Sequence, residues 1–151
     1  MNMFIHLVDD ASAGGGTSIY DALDEGVNSL LEFRKKHPST ILRIIALTDG
    51  EDNSSKIKPE EIARRIVANR IILDSFVVSH DSVGLKTITH ASGGRCYCPE
   101  DLISGMKLFE IETILSVAAR DMPLNNSKME VKDVKIDLEA IKNKPFDTEG
   151  L

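Results

Sequence analysis

Apolar residues recur along this chain in two rhythms, and the rhythms alternate. In "SIYDALDEGVNSLLEFRKK", residues 18–36, Tyr20, Leu23, Val27, Leu30 and Leu31 fall on one stripe at helical spacing, with charged and small residues between them. Ser18 followed by Asp21 has the form of a capping box with Asp in the Glu/Gln slot. Asp24 and Glu25 suit the early turns, Lys35, Lys36 and His37 suit the last one, and Pro38 bars continuation. A helix is predicted there. "TILRIIALTDG" follows, almost continuously aliphatic from Ile41 to Leu47, with Arg43 its only charge and Asp49-Gly50 as its stop. Such a run predicts a strand buried on both faces, as in a parallel sheet.

The alternation continues. "KPEEIARRIVANR" predicts a second helix: Pro59 suits the first turn, Glu60 and Glu61 follow it, and Ile62, Ala63, Ile66 and Val67 form its apolar side. "RIILDSFVVSH" predicts another buried strand, interrupted by Asp74 and Ser75. A short helix from about Leu85 to Ala91 stops at Gly93-Gly94. "RCYC" is a short strand, and Pro99-Glu100-Asp101 opens a helical stretch reaching about Arg120. Strands alternating with helices predict an α/β fold: a Rossmann-like, doubly wound, mostly parallel sheet covered on both faces. Beyond Met122-Pro123 the chain is charged and poor in large apolar residues. Val134, Ile136 and Leu138 alternate with period two, which leaves an added strand open, but residues 121–151 read first as a charged C-terminal tail or linker.

Composition narrows the function classes. The 151 residues suffice for one domain, and the net charge of -6 with a pI near 5.2 argues against nucleic acid or an anionic membrane surface as the main partner. A cation or a basic protein surface remains compatible. The start, "MNMFIHLVDD", is apolar for too few residues to be a signal peptide and lacks a basic flank, and no run approaches a membrane span. The two cysteines, Cys96 and Cys98, stand one residue apart, poorly placed for a disulfide, and read as small strand residues in a reducing compartment. The chain is therefore expected to be cytoplasmic.

Candidate chemistry gathers at two places. "ASAGGGTSIYDAL", residues 11–23, puts three glycines directly before the first helix, which asks for a tight bend or a close approach. "LTDGEDN" ends the first buried strand, and ligands of an open parallel sheet collect at the carboxyl ends of its strands. A Thr17 oxygen and the Asp49 carboxylate converging at that rim would form part of a hard-cation site.

Taken together, "GGGTSIYDAL", "IIALTDGEDN", "SFVVSH" and "ASGGRCYCP" resemble the von Willebrand factor A domain over roughly residues 11–120. The resemblance implies a metal-ion-dependent adhesion site at the top of a doubly wound sheet, holding magnesium. In it Thr17 contacts the cation through its hydroxyl, Asp49 acts on it, often through water, and an acidic side chain of a protein partner completes the coordination. It implies an interaction module of intracellular type and no enzyme. One departure is plain: the family's Asp-x-Ser-x-Ser motif, which follows its first, central strand, has no counterpart. Asp9, Asp10 and Ser12 have the wrong order and spacing. By resemblance, residues 1–120 are a partial domain lacking the first strands, either a fragment of a longer product or a degenerate domain. Magnesium binding by this chain alone is then expected to be weak or absent, and strand 41–47, without its neighbour, becomes a sheet edge prone to self-association unless "MFIHLV" substitutes for the missing strand.

The alternative from a different class is a nucleotide- or phosphate-binding loop at Gly14–Gly16, opening onto a helix N-terminus. Against it, no Lys follows the glycines, Gly-x-Gly-x-x-Gly is absent, and Asp9 and Asp10 would repel a phosphate. The four histidines have no catalytic context: Ser79-His80-Asp81 cannot form a triad from adjacent positions, His80 reads as a rim residue and His90 as a solvated helix residue.

Overall fold

The computed structural model describes residues 14–49, 51–78, 82–114 and 135–147. Helix α1 spans Ile19–Lys36, strand β1 Leu42–Thr48, helix α2 Pro59–Ala68, strand β2 Ile71–Val77, helix α3 Val83–Ala91, strand β3 Cys96–Tyr97, helix α4 Leu102–Ile114 and helix α5 Leu138–Lys142. The strands form a parallel sheet in the order β1-β2-β3. Leu42 lies opposite Ile71 and Thr48 opposite Val77, while Ser75 lies opposite Cys96. The segment expected as a first-strand substitute, residues 3–8, and the end of the last predicted helix, 115–120, lie outside the described residues. Among those described, no helix is long and apolar enough to cross a membrane.

Side chains of a strand point alternately to its two faces, and β2 shows the consequence. Ile71, Leu73 and Val77 join Ile19, Leu23 and Val27 of α1, Ile62 and Ile66 of α2, and Leu85 and Ile88 of α3 in the main core. On the opposite face Phe76 stacks on Tyr97, ring centroids 5.2 Å apart, and Leu108 of α4 closes over them. Helices thus cover both faces, the arrangement of a Rossmann-like α/β sheet. Every residue of β2 is buried, whereas β1 is only partly covered. β1 lies at one end of the sheet among the described residues, so its outer backbone groups face away from β2.

The polar interruptions of the two long strands explain one another. Arg43 Nε donates to Asp74 Oδ2 at 2.6 Å, and Asp74 Oδ1 accepts from the Arg95 N–H at 2.7 Å. Ser75 Oγ bonds Thr89 Oγ1 at 2.8 Å and donates to Cys96 Sγ at 3.1 Å. These groups are buried but paired, so they cost the sheet little and tie its strands to α3.

Two expectations need correction. Ser18 does not cap α1 with its side chain. Its intended partner Asp21 instead accepts the N–H groups of Lys56 and Ile57, at 3.0 Å each through Oδ1. His90, expected in solvent, has a side chain only 1% exposed. The reason is the segment 135–147: Ile136, Leu138 and Phe146 pack against the core, and Leu138–Lys142 is helical where period-two spacing left a strand open.

Candidate rim groove

The loop after β1 builds the site. Residues 51–57 fold back onto the start of α1 and satisfy the orphan amides that every helix N-terminus presents. Asp52 Oδ2 accepts from the Ile19 N–H at 2.7 Å, and Ser55 Oγ accepts from Tyr20 at 3.0 Å and Asp21 at 3.1 Å. Asp52 also accepts the Ser55 hydroxyl. Asn53 Oδ1 accepts from the Thr17 N–H at 2.8 Å, while the Thr17 carbonyl accepts from Asn53 at 3.0 Å and Ser54 at 3.1 Å. Asp21 returns the favour by capping the loop, and those two backbone donors hold its carboxyl below the ordinary carboxylate range. Loop and helix therefore lock reciprocally, and Thr17 is held against the carboxyl end of β1.

This closeness explains the glycines. Gly15 has φ +83°, a conformation that side chains resist. At Gly16 a β-carbon would run into Ser54 Oγ and Cβ and Asn53 Oδ1. Gly14 meets nothing within 4 Å. The triplet serves a turn and a close approach by the loop.

Thr17 and Asp49, the two residues expected at a cation, line one groove of about 470 Å³. It is lined by Ile44, Ile45, Ala46, Leu47 and Thr48 of β1 and by Ile19, Ala22 and Leu23 of α1. Asp49 is exposed and Thr17 half-buried. The donors at the rim are a hydroxyl and a carboxylate, the hard oxygens that magnesium accepts. Among the described residues no three His, Cys, Asp or Glu side chains gather as a metal-holding group.

Sequence reasoning missed Asp52, Asn53 and Ser55. Their signal was present in "DGEDNSS", a run of good capping residues after a strand, but the helix they cap lies more than thirty residues upstream. Cys96 and Cys98 form no disulfide, and burial pushes the Cys96 thiol up to about 12.

No family model matches the chain. Among curated proteins it is similar to one from Acanthamoeba polyphaga mimivirus described as a probable bifunctional E2/E3 enzyme, at 21% identity over 136 residues. The similarity covers 87% of this chain and 10% of that protein, so the chain spans about a tenth of its relative's length. Among solved structures it is similar to an uncharacterized membrane spanning protein from Vibrio fischeri, with a TM-score of 0.47 and 15% identity, over 74% of this chain and 64% of the other.

Proposed function

We propose that this chain is the larger part of a von Willebrand factor A-like interaction module, and that the rim groove is half of its magnesium site. In this reading Thr17 and Asp49 supply two oxygens and a protein partner supplies an acidic side chain. The observation that carries it is that both residues line one groove at the carboxyl end of β1. The Thr17 backbone is committed to the 51–57 loop, so its side chain is what remains to face a ligand. When bound, the cation would offer a positive centre to a carboxylate; the chain's own residues position Thr17 and hold the loop shut around it. The aliphatic wall of β1 beside the rim is the surface a protein partner would bury, and it also makes a second copy of β1 a plausible strand partner.

The phosphate reading fares worse on the same geometry. A phosphate at the start of α1 would need the N–H groups of Ile19, Tyr20 and Asp21, which Asp52 and Ser55 already occupy. Calorimetry separates the two. Magnesium is expected to bind on the order of millimolar or weaker, as a sparsely liganded site should, and Asp49→Ala should abolish it. ATP, GTP or NAD at millimolar concentration should leave the melting temperature unchanged. A rise with nucleotide that Gly15→Val removes would overturn the metal reading in favour of the phosphate one.

A further inference from the structure

At the end of the sheet opposite the groove, β3 is only Cys96–Tyr97, and the outer side of Cys96 is covered by no strand among the described residues. A single residue from the C-terminal segment covers it instead. The Asp147 N–H donates to the Cys96 carbonyl at 2.8 Å, and Asp147 Oδ2 accepts the Cys96 N–H at 2.8 Å. Phe146 lies under Lys86 Nζ, 4.4 Å from the ring centroid, and Ile136 and Leu138 pack on the core beside α3. Between these two ends helix α5 packs along α3.

Beneath it sits His90. Neither ring nitrogen makes a well-formed hydrogen bond, an unusual state for a buried imidazole: the ring faces the Pro145 carbonyl and Asp147 Oδ2, the latter 3.9 Å from Nδ1. Among the described residues, the other ionisable groups acting on it are Lys86 on its own helix and Lys144 on the segment. Burial is the strongest influence and holds the ring neutral, below its ordinary value of 6.5. The Asp147 carboxylate opposes this, as does the Pro145 carbonyl, while Lys144 and Lys86 reinforce it.

We propose that residues 135–147 are a strap over the outer sheet edge, and that protonation of His90 releases it. A proton on the ring places a poorly solvated cation beneath the strap, faced by Lys86 and Lys144 and, among the described residues, by the Asp147 carboxylate; opening the strap returns that cation to water. The sign follows from the lowered value in the closed form. Closure is fully favoured above 6.5 and weakens as the pH falls below it, levelling off once the closed form itself binds the proton. Release uncovers the Cys96 N–H and C=O, a strand-accepting pair, together with the apolar underside of the strap.

Amide hydrogen exchange on the full chain, with rates corrected for intrinsic chemistry, tests this. Between about pH 7.5 and about pH 5, protection of the Cys96 and Asp147 amides should fall about tenfold for each unit by which burial lowers the ring, while Ile62 and Ile66 of α2 hold theirs. His90→Gln and His90→Leu should flatten that dependence. Asp147→Asn keeps an oxygen for the Cys96 N–H but removes a carboxylate that favours the charged ring, so it should deepen the acid release. Unchanged or increased protection in acid would overturn the proposal, as would an undiminished drop in both His90 variants. Should those variants fail to fold, a shallower drop in Asp147→Asn would overturn it instead.

Discussion

Gly16 and Gly94 both lack room for a β-carbon, but the obstacles differ. At Gly16 the obstacle is mainly Ser54, an exposed residue of a surface loop; at Gly94 it is the Leu73 carbonyl, backbone of a fully buried strand. Gly94→Ala should therefore cost the upper part of the 1–3 kcal/mol typical of overpacking, and Gly16→Ala the lower part, as read by urea denaturation. Asp21 carries a pH signature of its own. Its carboxyl is held below the ordinary value by the Ile57 and Lys56 amides, so its contribution is present above 3.8 and is lost as pH falls through the lower native value. Asp21→Asn should flatten that acid limb, measured by melting temperature against pH. Cys96 should resist alkylation in the native chain at pH 8, since its thiol is buried and pushed up to about 12.

At the scale of elements, the helices and strands followed from local periodicity because their faces repeat within a few residues. The contacts that hold the site did not, since they join positions more than thirty residues apart. Ser18-x-x-Asp21 had a capping form, yet the 51–57 loop supplied a better set of acceptors, and tertiary geometry displaced the local motif. Asp74 and Arg43 looked like defects when each strand was considered singly; parallel register makes them a pair. Thr17 and Asp49 could be placed at one rim from fold logic, whereas the buried state of His90 depended on a distant segment that looked solvated. Ser55→Ala should cost about 0.5–2 kcal/mol, the usual loss for a helix cap, even though Ser55 lies outside the helix it serves. Asp74→Ala should cost more, about 3–5 kcal/mol, because it removes the buried carboxylate that pairs with the Arg43 guanidinium and accepts the Arg95 amide. Chemical denaturation of the two variants checks that order.

Over the whole molecule, the two ends of the sheet are finished differently. The β3 end is covered by Asp147. The β1 end carries aliphatic residues beside the groove, with Leu47 50% exposed, and its only charge, Arg43, is turned to Asp74. Among the described residues no strand pairs with the outer side of β1; such an edge invites pairing, so sedimentation should show concentration-dependent association that Leu47→Lys weakens, as an edge lysine does. The groove at that same end bears the central claim, that Thr17 and Asp49 share a divalent cation. Nuclear magnetic resonance with manganese as a paramagnetic stand-in for magnesium locates the ion directly. Broadening should centre on Thr17, Thr48 and Asp49, grow on the order of millimolar metal, compete with magnesium, and vanish in Asp49→Ala and Thr17→Ala. Broadening centred elsewhere, or a rim signal that survives both substitutions, would contradict it.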